Sequence, residues 1–100
     1  MIKIETVKEY DTKVAASMGR LRQQLSARHD GSAIDREIIE ELVKSPYHDI
    51  LIAIDDGKVV GMTIVSIVMA TLDRNVYMED LVVDSECRGK GVGGKLLDAV

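Results

Sequence analysis

Arg88-Gly89-Lys90-Gly91-Val92-Gly93-Gly94-Lys95 places four glycines where a helix must begin. Each glycine inside a helix costs about 1 kcal/mol relative to alanine, so a cluster of them requires a compensating use. One such use is close approach of main-chain N–H groups to an anion, aided by the positive end of the helix. Arg88, Lys90 and Lys95 make this stretch locally basic in a chain of net charge −4. A glycine-rich turn closing a strand–helix joint is the plainer reading; the basic flanks favour the anion cradle.

Three phosphate-binding patterns overlap here. Gly89-x-Gly91-x-x-Gly94 fits the dinucleotide pattern, which needs a parallel βαβ unit and an acid about 20 residues further on. Gly89-x-x-x-x-Gly94-Lys95 approaches the nucleotide P-loop, but Leu96 stands where a Ser or Thr hydroxyl is needed for magnesium. Arg88-x-x-Gly91-x-Gly93 is a third pattern, and it requires a long preceding strand in a mixed, mostly antiparallel sheet.

The rest of the chain supplies that setting. Ile2 and Ile4 alternate with Lys3 and Glu5, as in a half-buried strand. Tyr10, Val14, Met18, Leu21 and Leu25 recur at helical spacing, predicting a helix to about Ala27 with Thr6 or Asp11 as rival caps. Ser32 is expected to cap a second helix, buried through Ile34, Ile38, Ile39, Leu42 and Val43 and ended by Ser45-Pro46. Asp49–Ile54, Val59–Ala70 and Val76–Asp84 read as strands. Asp55-Asp56-Gly57-Lys58 is the hairpin turn between the first two of these. Leu81-Val82-Val83 predicts burial on both faces. A last helix carries Val92, Leu96, Leu97 and Val100 on one side. The predicted order is β-α-α-β-β-β-α, an α/β (α+β) fold.

Composition narrows the class further. At 100 residues, 46% hydrophobic and 30% charged, the chain is expected to be a single folded domain. With no Phe or Trp, its core must be aliphatic. One cysteine excludes an internal disulfide, and one Cys with two unclustered His argues against a zinc site, so no metal is expected. The acidic balance disfavours nucleic acid and membrane surfaces. The run Val59–Ala70 is too short to span a bilayer, and the N-terminus has no signal-peptide core; a cytoplasmic protein is expected. Val100 ends the chain on an apolar helical residue without a cap, which predicts a C-terminally truncated domain.

Tyr77–Leu97, with Arg88-x-x-Gly91-x-Gly93 at its centre, resembles the fourth strand, pyrophosphate loop and following helix of the GCN5-related N-acetyltransferase (GNAT) superfamily. Asp55–Gly61 is similar to its second-to-third strand hairpin. The resemblance covers essentially the whole chain and lacks the family's C-terminal strands and helix. It implies acetyl-CoA as cosubstrate and a primary amine, on a small molecule, a protein N-terminus or a lysine, as acceptor. It also implies that amides around Arg88, Gly89, Lys90, Gly91, Val92, Gly93 and Gly94 hold the pyrophosphate. The main chain of Leu81, Val82 and Val83 would pair with the pantetheine arm. An alkyl amine with a pKa near 10.4 costs about 4.6 kcal/mol to deprotonate at pH 7, so transfer needs a proton acceptor. Glu79 matches an acid that serves as base in some relatives; on a regular strand Asp80 would point to the opposite face, and a bulge would switch them. A non-catalytic acyl-CoA-binding or interaction module is the alternative. Cys87, His29, His48 and Met62, Met69 and Met78 read as incidental, surface or core residues. Without a following strand, 76–84 is an exposed apolar edge, which predicts a homo-oligomer.

Overall fold

The strands stand in the sheet in their chain order, the last three joined by short turns and the first separated from them by two helices. The computed structural model describes residues 1–100. Strand β1 (Ile2–Thr6) is followed by helices α1 (Thr12–Leu25) and α2 (Arg36–Lys44). Strands β2 (His48–Asp55), β3 (Lys58–Met69) and β4 (Arg74–Val83) follow, then a 3-10 turn (Ser85–Cys87) and helix α3 (Val92–Asp98). The sheet runs β1-β2-β3-β4, and every neighbouring pair is antiparallel. The β2–β3 turn is the Asp-Gly hairpin read from sequence. Asp56 and Gly57 both take positive φ, 51° and 78°, as the right-handed twist of a two-residue hairpin demands.

Alternation along the strands gives the sheet two apolar faces. Ile50, Ile52, Met62, Ile64 and Val82 pack under α1 and α2 against Ala15, Met18, Leu21 and Ile39. Leu51, Ala53, Val60 and Val65 pack under α3 against Val92 and Leu96. Gly61 lets α3 sit this close: a Cβ there would lie 2.9 Å from Val92 Cγ1 and 3.3 Å from Leu96 Cδ1. Val82 is buried, but Leu81 is exposed and Val83 only half-buried, so this run is not covered on both faces. Leu97 and Val100 are exposed as well; only Val92 and Leu96 anchor α3. No helix is long and apolar enough to cross a membrane.

Two helix starts differ in how well local chemistry forecasts them. Asp11 caps α1, its carboxylate accepting from the amides of Lys13 and Val14 at 2.8 and 3.0 Å; Thr6 belongs to β1. Ser32 does not cap α2, which begins later, behind Asp35. The Ser32 amide instead donates to Asp30 at 2.9 Å, and Ile34 is buried before the helix starts. The segment through Ser32 and Ala33 crosses α1 at Gly19, where a Cβ would fall 1.9 Å from the Ser32 carbonyl oxygen. The Ile34 amide donates to the Ala15 carbonyl at 3.1 Å.

That crossing has no room for a methyl group. Gly19→Ala is expected to cost about 3 kcal/mol, the upper end for overpacking, read as a lowered urea midpoint.

Candidate active site

The loop after β4 is built to leave its donors unused. Gly89 and Gly91 hold φ of +88° and +80°, a region open to glycine and strained for most side chains. Of the seven amides from Arg88 to Gly94, only that of Lys90 donates within the chain, to the Cys87 carbonyl at 3.4 Å. The other six have no protein acceptor. Those of Val92, Gly93 and Gly94 form the first turn of α3, where main-chain N–H groups point out of the helix end. Alternating left-handed glycines in front of that turn make the kind of concavity that binds anions.

Internal packing explains little of the glycine content. A Cβ on Gly89, Gly91 or Gly94 would meet no atom within 4 Å, and one on Gly93 would only touch Val83 Cγ2 at 3.8 Å. Backbone angle accounts for Gly89 and Gly91. Nothing inside the chain accounts for Gly94, so a surface kept bare for an outside group is the remaining use. Arg88, Lys90 and Lys95 are exposed around it. None joins an ion pair, whereas Lys58 and Arg20 nearby do. Val92 holds the loop down through its buried side chain.

β4 is the sheet's outer strand, and a bulge divides it. Met62 pairs with Val82 and Ile64 with Glu79, so Asp80 and Leu81 together oppose Thr63. Asp80 takes a positive φ of 52°, which Asp tolerates better than most residues. The Asp84 amide donates inward to the Val60 carbonyl at 2.8 Å. Amides alternate sides along a strand, so Val82 also faces β3, while Leu81 and Val83 turn theirs to the open edge. Val82 therefore turns its side chain to the core and its amide to β3, so of the run Leu81–Val83 it is Leu81 and Val83 whose amides are outward.

The bulge sets where Glu79 points. Glu79 lies opposite Ile64, whose side chain is in the core under α1 and α2, so its carboxylate is on that face. It is exposed, and Oε2 accepts from the buried Ser66 hydroxyl at 3.2 Å. The fully buried Thr63 hydroxyl donates to the Glu79 carbonyl at 3.0 Å, satisfying an acceptor close to the bulge. From Glu79 to Asp84 the strand covers about 16 Å at roughly 3.3 Å per residue. The carboxylate and the donor loop thus stand at opposite ends of one edge.

Helix α1 fixes the root of the loop. Asp84 is buried; its carboxylate pairs with Arg20 and accepts from the Glu86 amide at 3.1 Å. Arg20 also donates to the Val59 carbonyl at 2.9 Å, and Gln24 accepts from the Ser85 amide at 2.8 Å. The Glu86 amide first, then Arg20, hold the Asp84 carboxyl below the usual carboxylate range against the opposing effect of burial. None of Arg20, Gln24, Thr63, Ser66 and Asp84 was singled out in the sequence. Only Asp84, two residues before Glu86, carried a local signal, that of a capping aspartate. Cys87 packs half-buried beside the α3 core, and His48 bonds to Ser45 at 2.8 Å.

The Acetyltransferase (GNAT) family pattern matches residues 15–100. An aminoglycoside acetyltransferase from an uncultured soil metagenomic sample, solved in complex with sisomicin, superposes with a TM-score of 0.83 at 25% identity, covering 98% of this chain and 66% of its own. Glucosamine-6-phosphate N-acetyltransferase from Arabidopsis thaliana gives 0.82 at 26% identity, covering 99% and 71%. A ribosomal-protein-alanine N-acetyltransferase from Brucella melitensis shares the fold at 22% identity with a TM-score of 0.73, covering 99% and 68%. The chain thus spans about two thirds of the length of these relatives.

The Asp84 pair gives stability an acid limb. Because its native carboxyl titrates below the usual range, its contribution is complete above about pH 4. That contribution is lost as the pH falls through the depressed native value. Urea midpoints measured from pH 7 down to pH 2 are expected to fall more steeply for the parent chain than for Asp84→Asn.

Proposed function

The chain belongs to the Acetyltransferase (GNAT) family, and on that premise we propose that it binds acetyl-CoA through the Arg88–Gly94 loop and the β4 edge and acetylates a primary amine. One observation carries this reading: six amides without an internal acceptor, lined by glycines whose Cβ positions are empty and flanked by three unpaired basic side chains. That set fits a pyrophosphate. The outward amides of Leu81 and Val83 fit an extended arm laid along the edge, leading from the loop back to the bulge.

Acetyl-CoA supplies an acyl group activated as a thioester, with a thiol leaving group of pKa near 8.5. The protein's part is orientation and proton handling. Arg88, Lys90 and Lys95 neutralise phosphate charge while the loop amides fix its position. An outward amide at Leu81 or Val83 donates to the thioester carbonyl oxygen, where negative charge develops during attack. Glu79 takes the proton from the acceptor ammonium, directly or through one water, freeing the amine to attack. Ser66 holds that carboxylate from below. Two of the relatives, an aminoglycoside acetyltransferase and a glucosamine-6-phosphate N-acetyltransferase, support an amino sugar as the acceptor class.

The test pairs binding with turnover: calorimetric titration with CoA, and thiol release from acetyl-CoA with sisomicin, glucosamine 6-phosphate and a wider amine panel. Binding with acceptor-dependent thiol release supports the reading. Binding without release on any amine leaves a non-catalytic acyl-CoA module. Absence of CoA binding overturns both.

Two substitutions sharpen it. Gly94→Ala is expected to raise unfolding stability by about 0.5–1 kcal/mol, since its site is helical and empty, yet to weaken CoA at least tenfold. Glu79→Gln is expected to lower kcat by about 10²–10⁴ with the CoA Kd unchanged.

A further inference from the structure

We propose that helix α1 is the positioning element of the anion loop, acting through Arg20 and Gln24 on the residues at the loop's root. The inference rests on the acyl-CoA reading for the identity of the ligand, but the clamp itself is drawn from contacts within the chain. Arg20 and Gln24 are four residues apart on one helix and so share a face. Arg20 pairs with Asp84 and Gln24 accepts from the next residue, Ser85. These bonds join positions 64 and 61 residues apart in sequence.

The root is held from several sides. The Asp84 amide donates to the Val60 carbonyl, and the Asp84 carbonyl accepts from the Cys87 amide, both at 2.8 Å. Arg20 reaches past Asp84 to the Val59 carbonyl, so one guanidinium ties the start of β3 to the end of β4. The other charges facing Asp84 are Lys58, at 3.9 Å, and Glu86, which Lys58 approaches at 3.8 Å. Beyond this root, main-chain bonding nearly stops: from Arg88 to Gly94 one amide alone is engaged within the chain. A segment with so few bonds of its own takes its direction from where it is fixed. Its two fixed points are the Asp84–Ser85 root and the Val92 side chain seated on Gly61.

Gln24 separates positioning from bulk stability. It is exposed, and the buried residues of α1 are Ala15, Met18, Gly19 and Leu21. Removing its side chain leaves the core intact and frees the Ser85 amide, with a smaller loss of support to the Asp84 carboxylate, which stays bonded to Arg20 and the Glu86 amide. Arg20→Lys keeps a positive charge beside Asp84 but cannot bond two acceptors with a planar fork. Arg20→Ala, which strands a buried carboxylate, is the variant that would fail to fold, so it is avoided.

The experiment compares CoA with pantetheine, which lacks the pyrophosphate, by NMR titration of the parent chain, Gln24→Ala and Arg20→Lys, with urea midpoints in parallel. The expected result is a CoA affinity about threefold weaker in Gln24→Ala and about tenfold weaker in Arg20→Lys. Pantetheine affinity is expected to be unchanged in both, and the Gln24→Ala midpoint unmoved. Unaltered CoA affinity, or equal losses for CoA and pantetheine, would overturn the proposal. If the parent chain ignores CoA, the functional reading fails while the clamp is still decided without ligand. Shifted or broadened amide signals of Gly89, Gly91, Gly93 and Gly94 in Gln24→Ala uphold it, and unchanged signals sink it.

Discussion

One buried carboxylate sits where the sheet ends and the chemistry begins. Asp84 is cut off from solvent yet ionised, because the Glu86 amide and the Arg20 guanidinium together offset its desolvation. A buried charge without partners would cost several kcal/mol; with them it becomes a fixed point from which the next ten residues take their direction. The loop can then leave its own donors unpaired without losing its shape. Rigidity comes from the root and from Val92, and the space between stays available to an anion.

The bulge in β4 sets the direction of Glu79. One extra residue moves Glu79 and Val82 onto the same face although their numbers differ in parity. On a regular strand the buried valine and the carboxylate would lie on opposite sides. Two hydroxyls add to the ladder beside the irregularity: Thr63 donates to the Glu79 carbonyl, and Ser66 to the Glu79 carboxylate. Two hydroxyls on β3 thus fix main chain and side chain of one acid.

Features written in short sequence windows were readable; features made by distant segments were not. Asp56-Gly57 declared its hairpin because two consecutive positive φ angles have few other sequence solutions, and Asp11 was one of two rival caps that the local sequence offered for α1. Ser32 looked like a cap for the same local reason and was not one. Its segment is committed to crossing α1 at Gly19, and no pattern near Ser32 records a partner thirteen residues upstream. Gly61 lies within an apolar run and gave no local sign that it is the seat of α3. Within the candidate site, the glycine loop stood out by its motif, and Glu79 was named through the resemblance alone. Arg20 and Gln24 were not, since the polar side of an amphipathic helix gives no sign that two of its residues face a strand end more than sixty positions away.

Strand order equal to chain order has a kinetic consequence. The β2–β3–β4 meander closes through short turns, and hairpins of this kind form within about 1–10 μs. The bonds from α1 to Asp84 and Ser85 close far longer loops, whose entropy cost comes before any contact rewards it. Assembly then has a natural sequence: a three-stranded ribbon early, and the tie between the first helix and the last turn late. A chain emerging from synthesis would display its ribbon before the loop after β4 was fixed at its root.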